Sequence, residues 1–113
     1  REAAKFSKIT APAAIVVCGN LSKALPMQYA SYWIQDCSAA TENILLAATE
    51  LGLGTVWVCY FKPDVLRKEF TLPDNLEPIN ILVIGYSDEE PADRNRFEAQ
   101  RIAMSELVSY ENL

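Results

Sequence analysis

The hydrophobic positions of the chain form short continuous runs and one long periodic stretch. Residues 13–18 are an apolar run typical of a strand buried on both faces, and Gly19-Asn20 ends it with residues common in turns. From about Tyr32 to Leu51, apolar residues recur at helical spacing and cover more than one stripe of a helix. The pattern predicts a strand, then a loop, then a long helix that is buried on most sides.

The end of the long helix is marked by glycines, and a second strand follows. Gly52 and Gly54 are expected to supply the positive-φ stop that a helix end favours. Residues 55–61 are rich in β-branched and aromatic side chains, which is a strong strand signal. Since a helix precedes a strand here, the glycines do not form a dinucleotide-binding loop, which needs the opposite order.

The rest of the chain predicts one more helix and one more strand. Pro63 introduces a short helix over residues 64–70, and residues 79–84 form a third apolar strand. Residues 86–96 are a charged, proline-broken loop, and residues 97–113 suggest a short helix with an arm beyond it. Strand, long helix, strand, short helix and strand in this order favour an α/β or α+β sandwich around a small sheet.

Length and charge narrow the class of protein. The 113 residues suffice for a single domain over residues 1–113, and 50% hydrophobic with 22% charged residues is ordinary for a globular protein. A net charge of −5 repels phosphate backbones, so nucleic acid is not an expected partner. No apolar run approaches the roughly 18 residues that a membrane span needs. We therefore expect a soluble, cytoplasmic protein that does not enter a membrane.

Cysteine and histidine usage excludes several kinds of chemistry. The chain has three separated cysteines, no CxxC pair and no histidine, so neither a disulfide framework nor a zinc site is expected. Each thiol is interpreted as a small buried hydrophobe. The absence of histidine removes the Ser-His and Cys-His nucleophile schemes, so no catalytic side chain and no metal site are predicted.

Several segments together resemble the nitroreductase family. Residues 32–57 are similar to the family's central helix and the strand after it, and the Leu72-Pro73-Asp74-Asn75-Leu76-Glu77-Pro78 segment leads to a strand ending in Ile84-Gly85-Tyr86. The Asp88-Glu89-Glu90-Pro91 turn and the Arg94-Asn95-Arg96-Phe97 segment complete the series. The pieces stand in the family's order and spacing from roughly Pro12 to Phe97.

The resemblance implies a nitroreductase-like α+β fold with a small, mostly antiparallel sheet and a long central helix. It also implies a homodimer that binds FMN at the subunit interface and uses NAD(P)H. The strand after the glycine stop would then run along the isoalloxazine ring. The residues implied to bind the cofactor are Trp57, Val58, Cys59 and Tyr60 beside the ring, and Arg96 and Arg94 at the phosphate.

One segment departs from the family pattern. The family's first segment carries an Arg/Ser-rich motif that contacts the phosphate, and nothing in residues 1–11 matches it. The resemblance therefore implies that this chain corresponds to the C-terminal two-thirds of a family member and lacks its N-terminal segment. It also leaves open whether the chain binds flavin by itself.

Simpler interpretations stand beside these. Arg94 and Arg96 lie among acidic residues and are ordinary surface charges by local composition, and Trp57 and Tyr60 are most simply core residues of an apolar strand. The functional alternatives are an FMN-dependent oxidoreductase that passes electrons from NAD(P)H to a nitroaromatic or quinone, a non-catalytic flavin-binding module, and a cofactor-free dimerisation domain.

Overall fold

The five predicted elements are all present in the fold. The computed structural model describes residues 10–26, 32–90, 92–93 and 95–110. In chain order, the main elements are β1 (Ala13–Asn20), α1 (Tyr32–Glu50), β2 (Gly54–Val58), α2 (Pro63–Phe70) and β3 (Leu76–Gly85). A 3-10 helix (Glu98–Gln100) and the four-residue α3 (Met104–Leu107) follow.

The three strands form one antiparallel sheet in the order β1-β3-β2. The last strand in sequence, β3, is therefore the central strand of the sheet. Among the described residues, β1 and β2 are the edge strands of this sheet. Cross-strand partners include Ile15 with Leu82 and Trp57 with Leu82, so these side chains share a face of the sheet. The α+β class with a small antiparallel sheet is confirmed.

One face of the sheet packs against α2. Val58, Leu66, Ile81 and Val83 form a buried cluster in which α2 contributes Leu66 and the strands contribute the rest. Pro63 stands in the first turn of α2, where its missing N–H costs no hydrogen bond. Partly buried side chains surround the cluster: Ala11, Val16, Phe61, Val65 and Leu72.

The opposite face of the sheet packs against α1. Asn80 of β3 is fully buried, and its side-chain amide donates a hydrogen bond of 2.9 Å to Thr41 Oγ1 in α1. Leu82, two residues further along β3, is also fully buried. At the start of α1, the Trp33 ring lies against Gly19 so closely that a Cβ there would be 2.3 Å from a ring carbon. Only glycine at position 19 allows this contact.

The long helix is much less covered than its sequence predicts. Within α1 only Thr41 and Ala48 are buried, whereas Ile34 and Leu46 are 41% and 60% exposed. The prediction of a helix buried on most sides is therefore wrong for a single chain. The physical reason is that the three strands of the described residues supply one layer, which covers one side of the helix and does not cover its other side.

The C-terminal segment lies apart from the sheet. Its large apolar side chains are exposed, and they are Phe97, Ile102, Met104, Leu107, Val108 and Tyr110. The Cα radius of gyration is 17.6 Å, whereas a compact domain of this size has a radius of about 13 Å. No helix among the described residues is long and apolar enough to cross a membrane.

The helix stop uses one glycine rather than two. Gly52 has φ of 72°, and hydrogen bonds run from its N–H to Thr49 O (3.0 Å) and from Leu53 N–H to Ala48 O (2.9 Å). This left-handed residue closes α1. Gly54 does not have positive φ and instead begins β2, so the prediction that it shares the stop is wrong.

We expect Gly52→Ala to lower the free energy of unfolding by about 1 kcal/mol, because the left-handed conformation is strained for any residue with a Cβ. A Cβ at position 52 would meet no atom within 4 Å, so the loss reports backbone strain alone. Gly54→Ala is the matched control, since its Cβ would make ordinary contacts at 3.4 Å and beyond. Urea denaturation measures both variants, and equal losses would contradict this assignment of the stop.

Candidate functional site

The strand implied to contact a flavin is an edge of the sheet. One side of β2 pairs with β3, and no strand in the described part of the chain pairs with its other side. The outward-pointing N–H and C=O groups of β2 are therefore not used in the sheet. An edge of this kind offers a row of backbone donors and acceptors to a ligand.

Trp57 faces α1 rather than α2. It pairs with Leu82, and Leu82 stands on the same face of β3 as Asn80, which is bonded to α1. The side chain is half-buried, and its indole Nε1 is buried with no hydrogen-bond partner in the described part of the chain. The prediction that Trp57 is a core residue is thus met in part, because the side chain is only half-buried. The indole N–H of this ring has no hydrogen-bond acceptor among the described residues.

Val58 points to the other face of the sheet. It is 8% exposed and belongs to the cluster with Leu66 and Ile81. The Val58 side chain therefore lies in the hydrophobic core. A ligand on the outer edge of β2 would meet Val58 through its backbone.

Cys59 and Tyr60 follow the end of β2 and are exposed. Cys59 is a free, exposed thiol, so its interpretation as a buried hydrophobe is wrong. Tyr60 is 75% exposed, so its interpretation as a core residue is also wrong. Both errors have one cause, because β2 ends at Val58 and not at Phe61, and the chain leaves the sheet before position 59.

The two arginines implied at the phosphate lie near the C-terminus. Arg94 falls outside the described residues. Arg96 is exposed, and its backbone N–H donates a hydrogen bond to the backbone oxygen of Asp93 (3.1 Å). The guanidinium carbon of Arg96 lies 4.5 Å from the centre of the Phe97 ring. These contacts are local, and none that the structure describes for Arg96 reaches β2.

The two remaining thiols, Cys18 in β1 and Cys37 in α1, are partly buried, so their interpretation as buried hydrophobes is met in part. Burial raises the pKa of the Cys18 thiol above its ordinary value, and the nearby Cys37 raises it further. Burial also raises the pKa of Cys37, with the Asp36 carboxylate adding to the rise. Both thiols are therefore protonated at neutral pH, which makes them poor nucleophiles. No group of three or more potential metal ligands occurs among the described residues.

One polar pair under α1 was not predicted. The Thr41 hydroxyl donates to Cys37 O at 2.7 Å and accepts the Asn80 amide at 2.9 Å. Both residues are fully buried. A signal was present in the sequence, since Asn80 is the one polar residue within the apolar run 79–84.

Comparison with known sequences identifies relatives of this chain. The model of the nitroreductase family matches residues 2–86. A protein of Methanothermobacter thermautotrophicus, named provisionally as an NADH dehydrogenase/NAD(P)H nitroreductase, is 39% identical over 97 residues, which are 81% of this chain and 49% of that protein. A protein of Archaeoglobus fulgidus with the same name is 42% identical over 100 residues, or 81% of this chain and 56% of that protein.

Solved structures share the fold. A nitroreductase family protein of Clostridium difficile 630 has a TM-score of 0.79 and 49% identity, covering 95% of this chain and 64% of that one. An FMN-dependent nitroreductase from another strain of that species has a TM-score of 0.70 and 30% identity. The match covers 91% of this chain and 59% of that one.

The extent of these matches changes the predicted bounds of the resemblance and shows how much of each relative this chain spans. The family match covers residues 2–86, so it begins before the predicted stretch from Pro12 to Phe97 and ends within it, which leaves Arg94 and Arg96 outside the match. The chain spans about half the length of the two archaeal relatives. The family match nevertheless covers most of the chain and agrees with the observed sheet and helices, and this chain belongs to the nitroreductase family.

Proposed function

We propose that this chain is part of a cytoplasmic FMN-dependent oxidoreductase that transfers electrons from NAD(P)H to an electron-poor acceptor such as a nitroaromatic or a quinone. The observation that carries the proposal is the outer edge of β2, which pairs with no strand that the structure describes, followed by exposed residues 59 and 60 in a chain of this family. The names of similar proteins support it, since one is an FMN-dependent nitroreductase and two are named for NADH or NAD(P)H chemistry.

The residues at β2 fit the ring of a flavin. A flat, polar-edged ring needs backbone donors and an apolar or aromatic surface, and the outer edge of β2 with Trp57 and Tyr60 offers both. Val58 would contribute its backbone, because its side chain lies in the core. Cys59 would stand at the same strand end with an exposed thiol.

The chain's own contribution would be binding and electrostatics. Flavin supplies hydride and electron transfer when it is bound, which suits a chain without histidine. Backbone N–H groups at the outer edge of β2 would stabilise negative charge on the ring. Arg96, and with it Arg94, would hold the phosphate through charge-assisted hydrogen bonds.

A second copy of the chain would complete the site. The side of α1 opposite the buried Thr41 carries Tyr32, Ala39 and Leu46 at seven-residue spacing, and all three are exposed. Exposed apolar side chains grouped on one side of a helix are typical of an interface. A homodimer through this side of α1 would bury what one sheet layer cannot cover, and it would place flavin between two subunits.

The exposed apolar side chains of α1 favour a second candidate, a dimerisation domain without cofactor. A flavin-binding module without turnover is the third candidate.

Purified protein tests these three functions. Under the proposal it shows the visible absorbance of bound flavin and consumes NAD(P)H with a nitroaromatic well above the rate without protein. Flavin absorbance without consumption would favour the module, and no flavin after incubation with FMN would favour the dimerisation domain.

Arg96→Ala is expected to weaken FMN binding. Loss of a charge-assisted phosphate contact should raise the dissociation constant by about tenfold, equivalent to roughly 1.4 kcal/mol. Titration of flavin fluorescence measures this constant. Arg101→Ala removes an exposed arginine five residues later and should leave it unchanged. The same effect in both variants would show general charge attraction and remove Arg96 from the site.

Leu46→Glu is expected to shift the protein from dimer to monomer, because burying an unpaired carboxylate in an apolar interface is unfavourable. Sedimentation velocity at several concentrations measures the equilibrium. Lys68→Glu adds negative charge on the exposed surface of α2 and serves as the control. An unmodified chain that is monomeric at all concentrations would contradict the dimer.

A further inference from the structure

Two buried polar atoms on the α1 face of the sheet have no partner among the described residues. They are Trp57 Nε1 and Asn80 Oδ1. One carries a hydrogen-bond donor and the other is an acceptor, so each supplies what the other lacks. Buried polar groups left unsatisfied are rare in folded proteins, and each calls for an explanation.

The orientation of the Asn80 amide follows from the Thr41 hydroxyl. That hydroxyl has one proton, which it donates to Cys37 O at 2.7 Å. Its oxygen must therefore accept at its contact with Asn80, and the amide presents Nδ2 to it at 2.9 Å. As a result, Oδ1 is the atom of the amide that points away from this bond.

The strand register brings the two side chains to neighbouring positions. Trp57 pairs with Leu82, and Asn80 lies two residues before Leu82 on the same face of β3. Residues related by this diagonal lie about 7–8 Å apart, within reach of aromatic and long side chains. An indole ring spans much of that separation, and one water molecule can bridge the rest.

We propose that Asn80 is a positioning residue for β2, because one internal water accepts the Trp57 indole N–H and donates to Asn80 Oδ1. The resulting chain of hydrogen bonds runs from α1 through Thr41 and Asn80 to Trp57. It fixes the rotation of the Trp57 ring and, with it, the end of β2 against the helix. The link to flavin rests on the proposed function, in which this strand end contacts the ring.

A double-mutant cycle tests the bond independently of flavin. Trp57→Phe removes the N–H and retains an aromatic ring, and Asn80→Leu removes the acceptor at similar size. We expect the effects on the unfolding equilibrium constant to be non-additive by about threefold to tenfold. A cycle of Trp33→Phe with Asn80→Leu is the control, since Trp33 packs on Gly19, and it should be additive within about twofold.

The same variants test the positioning role. Asn80→Leu should raise the FMN dissociation constant severalfold when Trp57 is present and have no further effect in the Trp57→Phe background. If the variants fail to fold, the indole N–H resonance of Trp57 in the unmodified protein decides. A downfield, slowly exchanging signal supports the bond, and a signal at the position of free indole overturns it.

Additive effects in the Trp57 and Asn80 cycle would overturn the proposed bond. Non-additive stability with unchanged FMN affinity would overturn the positioning role. If the unmodified chain binds no FMN, the proposed function fails, and the stability cycle still decides the bond separately.

Discussion

The pairing of β3 with both other strands is the interaction on which the rest of the structure depends. β3 comes last in sequence but lies at the centre of the sheet. Alternate side chains therefore point to opposite layers, with Ile81 and Val83 toward α2 and Asn80 and Leu82 toward α1. Moving the register by one residue would place the buried amide in the apolar cluster under α2 and remove its partner Thr41.

Among the described residues, this arrangement also leaves β2 as an edge strand with one unpaired side. The strand is held by β3 on one side, and Val58 packs in the cluster under α2. Its outer backbone groups are available for the same reason that makes edge strands prone to pairing with other chains. One similar solved structure is named an FMN-dependent nitroreductase, and the proposed flavin would use this edge.

Much of the fold could be predicted from the sequence because the signals are local. Apolar runs identified the three strands, helical spacing identified α1, and Pro63 identified the start of α2. The burial of α1 could not be predicted, since it depends on how many strands cover the helix. The exposure of Cys59 and Tyr60 was missed because the end of β2 follows from its pairing with β3 and not from β-propensity. The assignment of Arg96 rests on resemblance alone, because its surroundings in sequence are those of any charged loop.

Hydrogen–deuterium exchange with and without FMN tests the central claim most directly. The account predicts that saturating FMN slows exchange at the backbone amides of residues 57–60, while the amides of β1, on the opposite edge of the sheet, are unchanged. Saturated binding with unchanged exchange at residues 57–60 would contradict the placement of the flavin at this edge.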